Sequence, residues 1–424
     1  MVSKRNRFAA FISFVVLLSM LLLTVGCAGT PAASPTAAPA APTQAPAAQP
    51  TKAAAAEPTK APAAGPIKIG ALIPFTGLET HNGLSMKYGA EIAGDEVNEA
   101  GGILGRKVEF VWEDTTGVPD VAVQKAQKLM KQDKVDVIIG TLSSAERAAV
   151  FAVTTPAKML FMNPTFYEAG LCNRYYFSAG ASPNQTIDPL AEYAVKTLGK
   201  KTFYMVASDY VWGTGSVAAS KAALASLGAQ VVGEEYAAFG TTDFSAIVQR
   251  IGSAKPDVVW PYVAGQDGIT FLKQLTDAGV RKNVTILGDY LDELITPALT
   301  NEQAAGIVNT STYYMGLDNP KNKDFIAKLK KKDPNALMGN FGMEMYYNVR
   351  LYAQAAQKAG AIDTEKIVDA MKGSSFDGPA GKVQFTTDNQ HAIQDVYLAV
   401  VQPDKTFKII NKYEQVAPKF ECKK

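Results

Sequence analysis

The stretch VDVIIGTLSSAERAAVFAVTTPAKMLFMNPT, residues 135–165, decides the fold. It opens on a short apolar run ending at Gly140, passes through Ser143 and Ser144, and returns to a second apolar run, MLFMNPT, at 159–165. Serine is a preferred helix N-cap, so the segment that begins near Ser144 reads as a helix. Apolar runs without regular polar alternation are the pattern of strands buried on both faces. Strand, helix and strand make a βαβ unit, and the helix in the connection makes its two strands parallel.

The same unit repeats outward from this stretch. Strand-type runs occur at IKIGALIP (67–74), KVEFVWED (107–114), TFYMVAS (202–208), AQVVGEEY (229–236), DVVWPYV (257–263), VTILGDY (284–290) and IVNTSTYY (307–314). Between them lie helix-period stretches such as 118–133, where Ala122, Ala126, Leu129 and Met130 keep an i, i+4, i+7, i+8 rhythm. With the two runs of 135–165 these make nine strands, more than one twisted sheet holds comfortably. The last third changes character: helices are expected at 319–332, 341–360 and 363–373, and residues 381–410 then read as strands with a turn at Pro403-Asp404. The expected fold class is therefore α/β: two doubly wound parallel-sheet lobes, with a chain that crosses between them more than once.

Composition narrows the function. Forty-two basic side chains stand against 40 acidic ones, a balance that argues against nucleic-acid binding. Two histidines and three cysteines are too few for most metal clusters, and a Ser-His hydrolase would have to use His81 or His391. No G-x-S-x-G, Walker A or HExxH pattern occurs, and no cofactor is expected. One enzymatic alternative exists. Gly213-Thr214-Gly215-Ser216-Val217-Ala218 fits G-x-G-x-x-A, with Glu234 and Glu235 about twenty residues on, as in an NAD-dependent enzyme. Asp209 to Trp212 intervene between strand 202–208 and the first glycine, which displaces the tight turn such a site needs.

The first 66 residues stand apart. Lys4, Arg5 and Arg7 precede an apolar run from Phe8 to Val25, which ends at Gly26-Cys27. This resembles a bacterial lipoprotein signal (1–27), although Thr24 stands where leucine is commonest; the resemblance implies that Cys27 is lipidated and anchors the protein to a membrane. Residues 28–66 are almost wholly Ala, Pro and Thr. They cannot bury enough apolar surface to offset their ordering entropy, so they read as a disordered tether.

From residue 67 onward, IGALIPFTG (69–77), NEAGGILGRKVEFVWEDT (98–115), VDVIIGTLSSAE, MLFMNPT, SDYVWGTGS (208–216), FGTTDFSAIVQRI (239–251) and GPAGKVQFTTDNQHAIQDVYLAVV (378–401) occur in order. The chain resembles the type I periplasmic binding proteins of ABC importers, of the leucine/branched-chain amino acid group with its amide- and urea-binding relatives. The resemblance implies one lobe of 67–184 with 315–385 and a second of 185–314 with 386–424. It implies that a small ligand (an amino acid, an amide or an aromatic acid) sits in the cleft between the lobes and is handed to permease and ATPase subunits. By the family pattern Ser144 binds the ligand, beside its neighbour Ser143, which reads equally as a helix cap. Thr165 supplies a second hydroxyl. Phe166 stands where relatives carry small residues or tyrosine, and Trp212 takes the place of an aromatic lid. Asp289 and Tyr290 lie near an acid that pairs with a ligand ammonium, and Gln266 is a possible hydrogen-bonding partner. Glu79, Thr80 and His81 fall in a loop at the cleft mouth, and His391 reads as a structural group near a lobe crossover. An exported, monomeric protein with Cys27 lipidated retains Cys172 and Cys422, which most simply pair. A sensory rather than an importing partner is the alternative within the same fold.

Overall fold

The computed structural model describes residues 65–77, 79–288 and 291–422. The expected signal, Cys27 and nearly all of the Ala/Pro/Thr segment lie outside these residues, as do Asp289 and Tyr290.

The first sheet contains β1 (Ile67–Ile73), β2 (Val108–Asp114), β3 (Val137–Gly140), β4 (Phe161–Asn163) and β5 (Tyr176–Ser178). All are parallel, in the order β2-β1-β3-β4-β5. Helices α1 (Thr80–Glu99), α2 (Pro119–Lys128) and α3 (Ser144–Thr154) connect the first four. The apolar runs split by the two-residue period of a strand. Ile69, Ala71, Ile73, Val137 and Ile139 face one core, while Leu72, Ile138 and Phe161 face the other with Ala122, Ala126 and Leu129. Each buried Ile, Leu, Val or Phe among these contributes roughly 1.5–3 kcal/mol. β5 is a departure from the sequence reading. At three residues it is too short to show a pattern, yet it pairs with β4 through Phe161↔Tyr176.

The second sheet is built from α4 (Pro183–Glu192), β6 (Thr202–Ser208), α5 (Val211–Ser226), β7 (Gln230–Ala237), α6 (Ser245–Ala254), β8 (Val258–Tyr262), α7 (Gly265–Asp277), β9 (Thr285–Gly288), α8 (Asn301–Ala304) and β10 (Val308–Ser311). Its parallel strands run β7-β6-β8-β9-β10. The C-terminal third adds α9 (Pro320–Lys332), α10 (Asn340–Ala359), α11 (Thr364–Met371), β11 (Ser375–Gly378), β12 (Gly381–Phe385), β13 (Ala392–Val401) and β14 (Phe407–Val416). β13 lies antiparallel beside β10, with β14 against it, and β12 reaches it through Gln384↔Ile393 and Phe385↔Ala392.

The chain passes between the two bodies three times. After β5 it enters α4, whose Thr186 carbonyl accepts from Thr310 Oγ1 of β10 at 2.8 Å. After β10 it returns: Met345 and Val349 of α10 share a core with Met86 and Ala90 of α1. It leaves again from β12 into β13. At this third passage His391 is buried, with Nδ1 2.7 Å from the Asn389 carbonyl and Nε2 2.5 Å from the Tyr167 hydroxyl. Burial lowers its pKa to about 4, so the ring is neutral. A disulfide joins Cys172 to Cys422, and Phe420 packs on the His391 ring at 4.6 Å between centroids.

Candidate functional site

The βαβ unit of 135–165 delivers the first wall of the site. β3 ends at Gly140, whose φ of 148° and close approach to β1 (a Cβ there would lie 2.1 Å from the Leu72 carbonyl oxygen) exclude other residues. α3 begins at once. Ser143 caps it: its Oγ accepts from Glu146 N at 3.2 Å, and Glu146 Oε2 accepts from Ser143 N at 2.9 Å. The first N–H groups of a helix have no partner within it, and the helix dipole is positive at this end. The start of α3 therefore suits a carboxylate or an amide oxygen.

These residues open on a cavity between the two bodies. The first body contributes Glu79, Ser143, Ser144 and Phe166; the second contributes Tyr210, Trp212 and Asp292; the returning chain adds Asn340 and Phe341. The aromatic rings form one continuous wall, with centroids 4.8 Å apart for Phe166–Phe341, 5.8 Å for Phe166–Trp212 and 6.0 Å for Tyr210–Trp212. Trp212 is held from behind by Tyr262 at 5.9 Å.

Two carboxyl groups face this cavity. Burial pushes Glu79 up to about 7, with Asp292, Glu146 and Asp267 adding to the shift, while Asn82 Nδ2, donating to Oε2 at 2.8 Å, opposes it. Burial pushes Asp292 up to about 6 against hydrogen bonds from backbone N–H groups such as Leu294 N at 2.9 Å. His81, 3.8 Å from Glu79, has a pKa lowered by burial. Among the described residues, no lysine or arginine forms an ion pair with either acid. A cation placed beside them favours their ionised forms.

Of the residues singled out from the sequence, the structure brings together Glu79, Ser143, Ser144, Phe166 and Trp212. Thr165 does not reach the cavity. It is fully buried behind Ser144, where its hydroxyl lies 3.1 Å from the Leu142 carbonyl and accepts from Arg147 Nη1 at 3.0 Å. Gln266 is exposed on α7, and its neighbours Ala264 and Gly265 line the wall instead. Sequence reasoning missed Asp292, three residues past the acid it chose, and Arg147, which a single turn of α3 places beside Ser144. The G-x-G-x-x-A pattern lies inside α5 rather than in the turn before it. A Cβ on Gly213 would sit 2.0 Å from the Ser208 carbonyl oxygen, so this glycine serves the packing of α5 onto β6.

The family model for periplasmic binding proteins matches residues 66–406. The Leu/Ile/Val-binding protein BraC3 of Rhizobium johnstonii is 30% identical over 323 residues, which cover 75% of this chain and 86% of that protein. An ABC transporter substrate-binding protein from Sphaerobacter thermophilus superposes with a TM-score of 0.74 at 28% identity, over 82% of this chain and 98% of that one. A solute-binding protein of an ABC transporter from Rhodopseudomonas palustris, solved with p-hydroxybenzoic acid, gives 0.74 at 26% identity, over 82% and 97%. By fold and by sequence the chain belongs to the type I periplasmic binding proteins, in the company of the Leu/Ile/Val-binding group, and is a binding protein rather than an enzyme.

Proposed function

We propose that this protein is the exported solute-capturing component of an ABC importer and that its ligand is an amino acid with an apolar side chain, held between the lobes 67–184 with 315–385 and 185–314 with 386–424. The observation that carries the reading is the polarity of the cavity. Its wall carries both the positive start of α3, with Ser143 and Ser144, and the buried acids Glu79 and Asp292. A zwitterion complements both kinds of group, and the wall of Phe166, Trp212 and Phe341 covers an apolar side chain. The lobes close on the ligand, and the closed form is the one a permease accepts; the cycle runs on the difference in ligand affinity between open and closed forms. Cys27, acylated after export, tethers the protein to the membrane through residues 28–66.

A second reading has support of its own. An aromatic wall with a carboxylate site also suits an aromatic acid, and the Rhodopseudomonas palustris relative was solved with one. A thermal-shift screen of apolar amino acids, short amides, urea and hydroxybenzoates separates the two. Ligand well above its dissociation constant raises the unfolding midpoint by a few degrees. Leucine, isoleucine or valine producing the largest shift is the expected result; a shift with 4-hydroxybenzoate and none with any amino acid overturns the amino-acid reading.

A further inference from the structure

Directly behind Ser144 lies a buried cation, Arg147, outside the lining of the cavity. Arg147 is 0% exposed. Its Nη2 donates to Ser144 Oγ at 2.6 Å, and its Nη1 donates to Thr165 Oγ1 at 3.0 Å and to Asn163 Oδ1 at 3.4 Å. The guanidinium lies over the Tyr167 ring, 4.2 Å from its centroid. Its ion-pair partner among the described residues is Glu168, whose Oε2 lies 3.7 Å from Nη2, beyond hydrogen-bond distance. Its Nε has no hydrogen-bond partner among the described residues.

An arginine has five donors and no acceptor. Ser144 Oγ therefore spends a lone pair on Arg147, and its own proton must be donated elsewhere. The serine is part of the cavity wall. A hydroxyl that accepts from a charged donor is polarised into a stronger donor itself, and the guanidinium adds its charge to the positive start of α3. We propose that Arg147 is a positioning residue that fixes Ser144 as a donor and makes this end of the cavity select a carboxylate over a neutral carboxamide. The inference rests on the reading that a ligand sits against Ser144, and it holds for an amino acid and an aromatic acid alike, since both end in a carboxylate.

The test compares two acid–amide pairs by isothermal titration calorimetry: L-leucine with L-leucinamide, and 4-hydroxybenzoate with 4-hydroxybenzamide. The wild-type protein is expected to prefer the acid of whichever pair it binds. Arg147→Gln, which keeps amide donors and loses the charge, is expected to weaken the acid on the order of tenfold or more while leaving the amide within about twofold, because charge-assisted hydrogen bonds are the strong ones. Arg147→Lys retains most of the preference. A merely structural role lowers acid and amide equally in Arg147→Gln, and that result overturns the proposal, as does a wild-type protein that binds an amide as tightly as its acid or that binds neither acid. If Arg147→Gln does not fold, Thr165→Val, which removes one anchor of the guanidinium, must reduce the acid-to-amide ratio several-fold or the proposal fails. Wild-type binding of 4-hydroxybenzoate but not leucine refutes the amino-acid reading alone and leaves the role of Arg147 to be measured on the aromatic pair.

Discussion

At the residue scale the site depends on Glu79 and Asp292, whose carboxyls hold their protons to higher pH than the ordinary values of 4.5 and 3.8. The sign of the consequence follows. Both pKa values are raised in the folded protein, so the contribution to stability is fully present below the unfolded values and is lost as pH rises toward about 7 for Glu79 and about 6 for Asp292. A ligand ammonium acts the other way, because it binds the ionised form. Affinity for leucine is expected to rise between about pH 5 and pH 8, and Glu79→Gln is expected to lower that affinity and flatten the upper part of the profile. Calorimetric titrations across that range check it; an affinity that falls with pH contradicts the assignment of an ammonium to this end. Glu79 was legible as a cleft-mouth residue, but its electrostatic state was not, because that depends on burial and on acids up to 213 positions away in Asp292.

At the element scale the helix starts position everything. α3 and α5 bring Ser143, Ser144 and Trp212 to the cavity from opposite bodies, and α5 sits close against its sheet because Gly213 permits it. Gly213→Ala inserts a methyl group where only 2.0 Å separates the position from the Ser208 carbonyl oxygen. It is expected to destabilise the fold by roughly 1–3 kcal/mol through overpacking, and to weaken ligand binding because Trp212 moves with α5. Denaturant midpoints and ligand titrations on the same variant check both; an unchanged midpoint contradicts the packing argument. The βαβ alternation was legible because both-face-buried strands leave continuous apolar runs, as in β3 and β4. β5 was not, since Tyr176–Ser178 owes its strand conformation to pairing with β4 rather than to any local pattern. Thr165 shows the same limit at the site. Its place in the sequence matched a ligand residue, but its hydroxyl is engaged by Arg147, and only the three-dimensional neighbourhood reveals that.

At the scale of the whole molecule, three passages of the chain link the two bodies, and the disulfide ties the C-terminal segment back beside Cys172. Neither cysteine lines the cavity. Replacing both by serine is expected to cost about 2–5 kcal/mol of stability, since a bond that closes a loop of 250 residues restricts the unfolded chain, while leaving leucine affinity within about twofold. Chemical denaturation and calorimetry on the double variant check this. A large loss of affinity contradicts the separation of staple and site. The proposed function implies one binding pose: a zwitterion lies in the cavity with its carboxylate at the start of α3 and its ammonium against Glu79 and Asp292. A crystal structure of the protein grown with L-leucine tests it most directly. The account predicts the carboxylate within hydrogen-bond distance of Ser144, the ammonium facing the two acids and the side chain against Phe166, Trp212 and Phe341. Leucine in the opposite orientation, or bound outside this cavity, contradicts it.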